Sequence, residues 1–226
     1  MTERGLVIGV VPGVTPDKWV RTWHERMPDV PLRVEAMTDA QTGPALLETV
    51  DLVLARLPVE GVDPDDLHVI PLWDETPVVV AAKDHPIKVF DSVTLADIAG
   101  EELYPGWDDA ILDIVAAGHG VARMPQSVLR ATGRRDVVGR PIMDAEPTRI
   151  GLVWRKSTSG PLVDEFIGIV RGRTANSSRG AATEPAPSTA TNSKPSGNKP
   201  VPKERKGHAR SGGRTARPQR RSRRSQ

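Results

Sequence analysis

The sequence predicts an α/β domain followed by a basic, disordered tail, and three observations predict it. Strand, helix, strand, helix and strand signals succeed one another between Leu6 and Leu57, which is how a parallel βαβ unit with crossover helices reads. The charges divide: residues 174–226 carry 13 basic and 2 acidic side chains, a net of +11, and residues 1–173 carry 18 and 27, a net of −9. The tail contains no Leu, Ile, Met, Phe, Trp or Tyr and a single Val, so it cannot bury enough apolar surface to offset its chain entropy. Cysteine is absent, which excludes a disulfide framework, thiolate zinc sites and a cysteine nucleophile. No stretch approaches the roughly 18 apolar residues of a membrane span.

The elements follow in order. Leu6–Val11 is a short β-branched run closed by Pro12-Gly13, as expected of a strand buried on both faces. It is too short, and lacks the cleavage site, for a signal peptide, so the chain reads as cytoplasmic. Thr15 stands where an N-cap belongs, Pro16 suits the first helical position, and Trp19, Val20, Trp23 and Met27 follow at helical spacing. Leu32–Met37 alternates as a strand, Thr38–Gly43 reads as a loop, a short helix begins near Pro44, and Asp51–Leu57 is a strand. Trp73–Lys83 holds the most β-rich run. Val93–Gly100 and Asp108–Ala117 read as helices, the second stopped by Gly118. Val121–Met124 is a strand, Pro125–Ala131 opens a helix, Arg149–Trp154 is a strand, and Pro161 starts the last helix. Apolar residues stop near Arg173.

Little here suggests catalysis. His24, His68, His85, His119 and His208 do not pair at metal-site spacing, and no nucleophile elbow or phosphate-binding loop is present. No cofactor is expected. Asp108, Asp109 and Asp113 read as the acidic first turn and solvated face of a helix. Two segments have the physics of a small-anion site. Gly13-Val14-Thr15 places backbone N–H groups and a hydroxyl at a strand-to-helix junction, with a plain helix cap as the other reading of Thr15. Gly118-His119-Gly120 allows a tight turn from which His119 projects, as a donor near a ligand or as an exposed side chain after a helix cap. Arg214, Arg217, Arg220, Arg221, Arg223 and Arg224 give the tail an electrostatic footprint for DNA or RNA, without aromatics to stack bases.

Residues 5–170 resemble the effector-binding domain of LysR-type transcriptional regulators, of the type 2 periplasmic-binding fold. The resemblance is carried, in order, by Gly5-Leu6-Val7-Ile8-Gly9, Trp23 to Leu32, Asp51 to Pro58, Pro77 to Ile87, Val93 to Ala99, Val115 to Pro125, and Leu152 to Lys156. It implies two α/β lobes, about 1–80 with 150–173 and about 81–149, joined by two crossing strands, with a small effector between them. The cleft it implies is lined by Val14, Thr15, Thr38, Asp39, Tyr104 to Trp107, and His119. Glu101–Asp113 is compressed, so the second lobe is expected to be reduced. The family places a winged helix-turn-helix before this domain, and Met1 lies four residues from the first motif, so those reading heads are expected to be missing.

The function expected is therefore that of a non-enzymatic module, with a small, anionic metabolite as ligand and transcription as the process it modulates. Its partners would be a second copy or a LysR-type protein. The alternative is a nucleic-acid-associated protein that binds non-specifically through its tail, the domain serving as an oligomerisation scaffold.

Overall fold

Leu6–Val10 forms β1, the apolar run read from the sequence, and Leu32–Ala36 (β2) and Leu52–Leu57 (β3) lie parallel to it on either side. The structure is a computed structural model that describes residues 5–173. The tail and its six arginines from Arg214 to Arg224 lie outside the described residues. The first sheet has the order β2-β1-β3-β9-β4, where Leu67–Glu75 is β4 and Thr148–Arg155 is β9. β9 runs antiparallel to both β3 and β4.

Two helices join the parallel strands. Asp17–Arg26 (α1) connects β1 to β2, and Asp39–Glu48 (α2) connects β2 to β3. Thr15 is not the cap of α1. Pro16 occupies that position with ψ 0, and a residue before proline is confined to extended backbone, which keeps Thr15 outside the helix. α2 starts well before Pro44: the Thr38 N–H donates to Gln41 Oε1 at 2.8 Å, and this reciprocal cap opens a helix that carries Pro44 in its interior. Pro161–Val170 (α5) packs beside α1, where Arg26 Nη1 meets Glu165 Oε1 at 2.9 Å. Trp23 and Phe166, from these two helices, are fully buried with ring centroids 6.0 Å apart.

Chain crosses to a second sheet at Thr76. Pro77–Ala82 (β5) lies between Val121–Pro125 (β7) and Val137–Pro141 (β8), with the two-residue strand Leu103-Tyr104 (β6) on the outer side of β7. Alternation along β5 fills both faces. Val78 and Val80 pack with Leu112, Val115 and Met124, while Val79 and Ala81 pack with Ile87, Val93 and Ile142. Asp109–Ala116 (α3) and Gln126–Thr132 (α4) cover the first of these faces. Val93–Gly100, expected as a helix, contains only the 3₁₀ turn Ala96–Ile98, because Asp97 turns back to accept bonds from the Thr94 N–H and hydroxyl.

Asp108 caps α3, its Oδ1 accepting the Ile111 N–H at 2.8 Å. Gly118, at φ +83, ends the approach to β7 as the sequence suggested. Asp108→Ala should lower the unfolding free energy by about 1 kcal/mol, read as a fall in the urea midpoint. A midpoint within error of the wild type would mean that water satisfies the first turn of α3 as well as the carboxylate does.

Candidate functional site

Arg56 is a cation within an otherwise apolar, buried strand, and the whole candidate site follows from how its charge is met. It sits on β3 with only 8 % of its side chain exposed. Its Nε donates to Glu75 Oε2 at 2.8 Å and its Nη2 to Glu75 Oε1 at 3.1 Å, a two-pronged pairing. Nη2 also reaches the Pro12 carbonyl at 2.7 Å, and Nη1 faces both Asp39 oxygens at 3.2 Å. The guanidinium carbon lies 5.6 Å from the centre of the Trp107 ring, within cation–π reach. Neither partner could be buried without the other, because an isolated ion away from water costs several kcal/mol.

Glu75, 2 % exposed at its side chain, ends β4 just before the crossing at Thr76. Besides Arg56 it accepts bonds from the Ser127 and Thr148 hydroxyls, the latter at 2.9 Å. One carboxylate thus ties β3 of the first sheet, the start of α4 in the second, and the returning strand β9. Beside it on the same paired strands, Arg149 bonds to Asp74 and holds that carboxyl below the usual carboxylate range. The two lobes also meet directly at Gly13. A Cβ there would stand 2.7 Å from both Ser127 Oγ and the Val128 nitrogen, and the residue has φ +82. Only glycine fits.

Two cavities open beside this cluster and share Trp107. One of about 320 Å³ is walled by Pro77, Tyr104, Met124 and Pro125 and edged by Arg123, Glu146 and Thr148. The other, of about 250 Å³, is lined by Asp39, Arg56 and Leu57 to Glu60. A larger hollow of about 510 Å³ lies elsewhere, between Leu46–Asp51 and the loop into α5, away from the ion cluster.

The expected site residues fall in different places. Trp107 lines both cavities, and Thr38 begins the helix that carries Asp39 to Arg56. Val14 is buried in the core of the first lobe, and Thr15 is exposed. His119 is exposed beyond the end of β7 remote from Pro125, and it lines neither cavity. Val14, Thr15 and His119 are thus not among the residues that line the two cavities sharing Trp107. Sequence reasoning missed Arg56, Glu75, Ser127 and Thr148. One signal was available, an arginine inside the run Leu52–Leu57, which implies a buried counter-charge. Among the described residues no group of three or more His, Asp or Glu is placed to hold a metal ion, and no helix is long and apolar enough to cross a membrane.

The chain has clear likenesses. The family model described as the LysR substrate binding domain matches residues 2–104 and 108–175, interrupted at Pro105-Gly106-Trp107 beside the cleft. OxyR of Escherichia coli, a DNA-binding transcriptional dual regulator, is 28% identical over 187 residues, covering 66% of this chain and 59% of its own length. The chain thus spans about three fifths of the curated relatives it matches. Among solved structures, the BenM effector-binding domain with its effector benzoate superposes with a TM-score of 0.61 at 19% identity, over 82% of this chain and 97% of that one. The OxyR regulatory domain of Pseudomonas aeruginosa gives 0.57 at 22% identity, over 74% and 96%. At these identities the structural likenesses establish the two-lobed, type 2 periplasmic-binding fold.

Proposed function

Because this chain belongs to the LysR substrate-binding domain family, we propose that it is a non-enzymatic effector-binding module that takes a small molecule between its lobes and modulates transcription. Its place of work would be the cytoplasm, and its partner a second copy or a LysR-type protein. The observation that carries this reading is Trp107. It lines both cavities of the cleft and stands against the buried Arg56, so one aromatic face joins the ligand space to the cluster linking the lobes. A ligand there would meet mostly apolar walls with polar groups at the edge, the usual make-up of a small-molecule site. Val14, Thr15 and His119 are given no contact with that ligand, and Thr38 acts only through the placement of Asp39. The OxyR relative is a transcriptional regulator, which favours regulation over catalysis. A nucleic-acid role for the tail finds no support in these likenesses, since the family match ends at residue 175.

The test is a thermal-shift screen of the full chain against a panel of small organic acids, amides and amines. A ligand of the native state must raise the melting temperature. For any compound that does, Trp107→Ala should weaken binding about tenfold or more, the loss of one aromatic contact of about 1.4 kcal/mol. A compound bound equally well by Trp107→Ala and by Arg123→Gln would place its site outside this cleft.

A further inference from the structure

We infer that Glu75 sets the ligand class of the cleft: its carboxylate occupies the guanidinium of Arg56 in the manner of a built-in anion, so the cleft admits uncharged or cationic ligands and excludes organic anions. The inference deepens the effector-binding reading and departs from the anionic ligand that the sequence suggested. Donor counting supports it. A guanidinium has five N–H groups, and Arg56 directs two of them to Glu75, one to the Pro12 carbonyl, and one, shared between both oxygens, to Asp39. The edge that would grip an incoming carboxylate with two parallel bonds, Nε with Nη2, is therefore already filled by Glu75. Glu75 in turn is met by Arg56, Ser127 and Thr148.

Charge counting agrees. Arg56 with Asp39 and Glu75 sums to −1, and at the edge of the larger cavity Arg123 and Glu146 cancel. An anion approaching Trp107 therefore meets a region of net negative charge whose one buried cation is already neutralised. Asp39, which carries the excess charge, is about one-third exposed, so this repulsion is partly screened by solvent and weakens further with salt. An uncharged or cationic molecule faces no such barrier and keeps the Trp107 face.

Removing the carboxylate should reverse the preference. Glu75→Ala leaves a void towards which Arg56, Ser127 and Thr148 direct their donors, and acetate is the probe that fits it. Melting of the full-length variant should rise by about 5 °C in acetate over chloride at equal ionic strength, while the wild type should show no difference. Equal stabilisation of the wild type by acetate overturns the inference, and so does a folded Glu75→Ala that ignores acetate. Glu75→Ser, which keeps a polar group in the same void, should behave alike. If neither variant folds in chloride, both are refolded in acetate, where recovery supports the inference and continued failure overturns it. An organic anion that stabilises the wild type and loses that effect in Trp107→Ala also overturns it. The acetate response is read without any effector, so its failure leaves the effector-binding reading standing, and a barren screen leaves the acetate result standing.

Discussion

Arg56→Met should lower the unfolding free energy by about 3–5 kcal/mol, the usual cost of breaking a buried ion pair from one side. The loss comes less from the contacts removed than from what remains. Glu75 keeps bonds from Ser127 and Thr148, but its charge is left in a site with almost no access to water. Asp39 loses its cation as well, at smaller cost, because it is about one-third exposed. Adding Glu75→Leu to Arg56→Met should recover much of the deficit, since a pair replaced by apolar groups of similar volume is often neutral or better. Urea unfolding of the two variants checks this. A single variant that loses less than about 1 kcal/mol would show that water reaches the cluster and the pair is not buried in solution.

The second large effect belongs to the first lobe's core. Phe166→Ala should cost about 3–5 kcal/mol, because the ring is fully buried against Trp23 and its removal leaves a cavity that helices α1 and α5 cannot close. Trp23 is further fixed by its indole N–H, which donates to the Val30 carbonyl at 2.9 Å, so it cannot swing into the space. Met143→Ala is the control: that side chain is 70 % exposed, and its loss should stay within about 0.5 kcal/mol. Thermal and urea unfolding both read the contrast. A Phe166 variant no less stable than the Met143 variant would mean that α5 is not docked on the sheet.

The first lobe was the legible part of the fold, because β1 is a continuous apolar run, β3 is apolar but for Arg56, and α1 shows its buried Trp19 and Trp23 at helical spacing. Where reading failed, a competing signal was present. Pro44 looked like a helix start, although the Thr38–Gln41 cap lies further back. Most of β4 was missed because it is an edge strand with Pro71 inside and a register shift between Pro71 and Trp73, which breaks the two-residue period. β8, Val137–Pro141, was missed because all five residues are half-buried and two are Gly and Pro.

At the site the shortfall has another cause. Trp107 was singled out only through the family resemblance, which placed it by position. Arg56 and Glu75 stand 19 residues apart on different strands, and Ser127 and Thr148 lie 52 and 73 residues beyond Glu75. No local pattern joins residues at such separations. Only the closure of both sheets around the crossing brings them to one point.

That crossing has an architectural consequence. Glu75 and Thr148 are register partners on adjacent antiparallel strands, so everything from residue 76 to residue 147 is a guest inserted at the tip of a hairpin whose host is the first sheet. The host's strand order and pairing are complete on either side of the insertion point. Residues gained or lost within the guest need not shift a single partner in the host. The exception is Ser127, the one guest side chain that bonds to Glu75: the guest is free to vary in length, but only so far as it still returns a hydroxyl to that carboxylate.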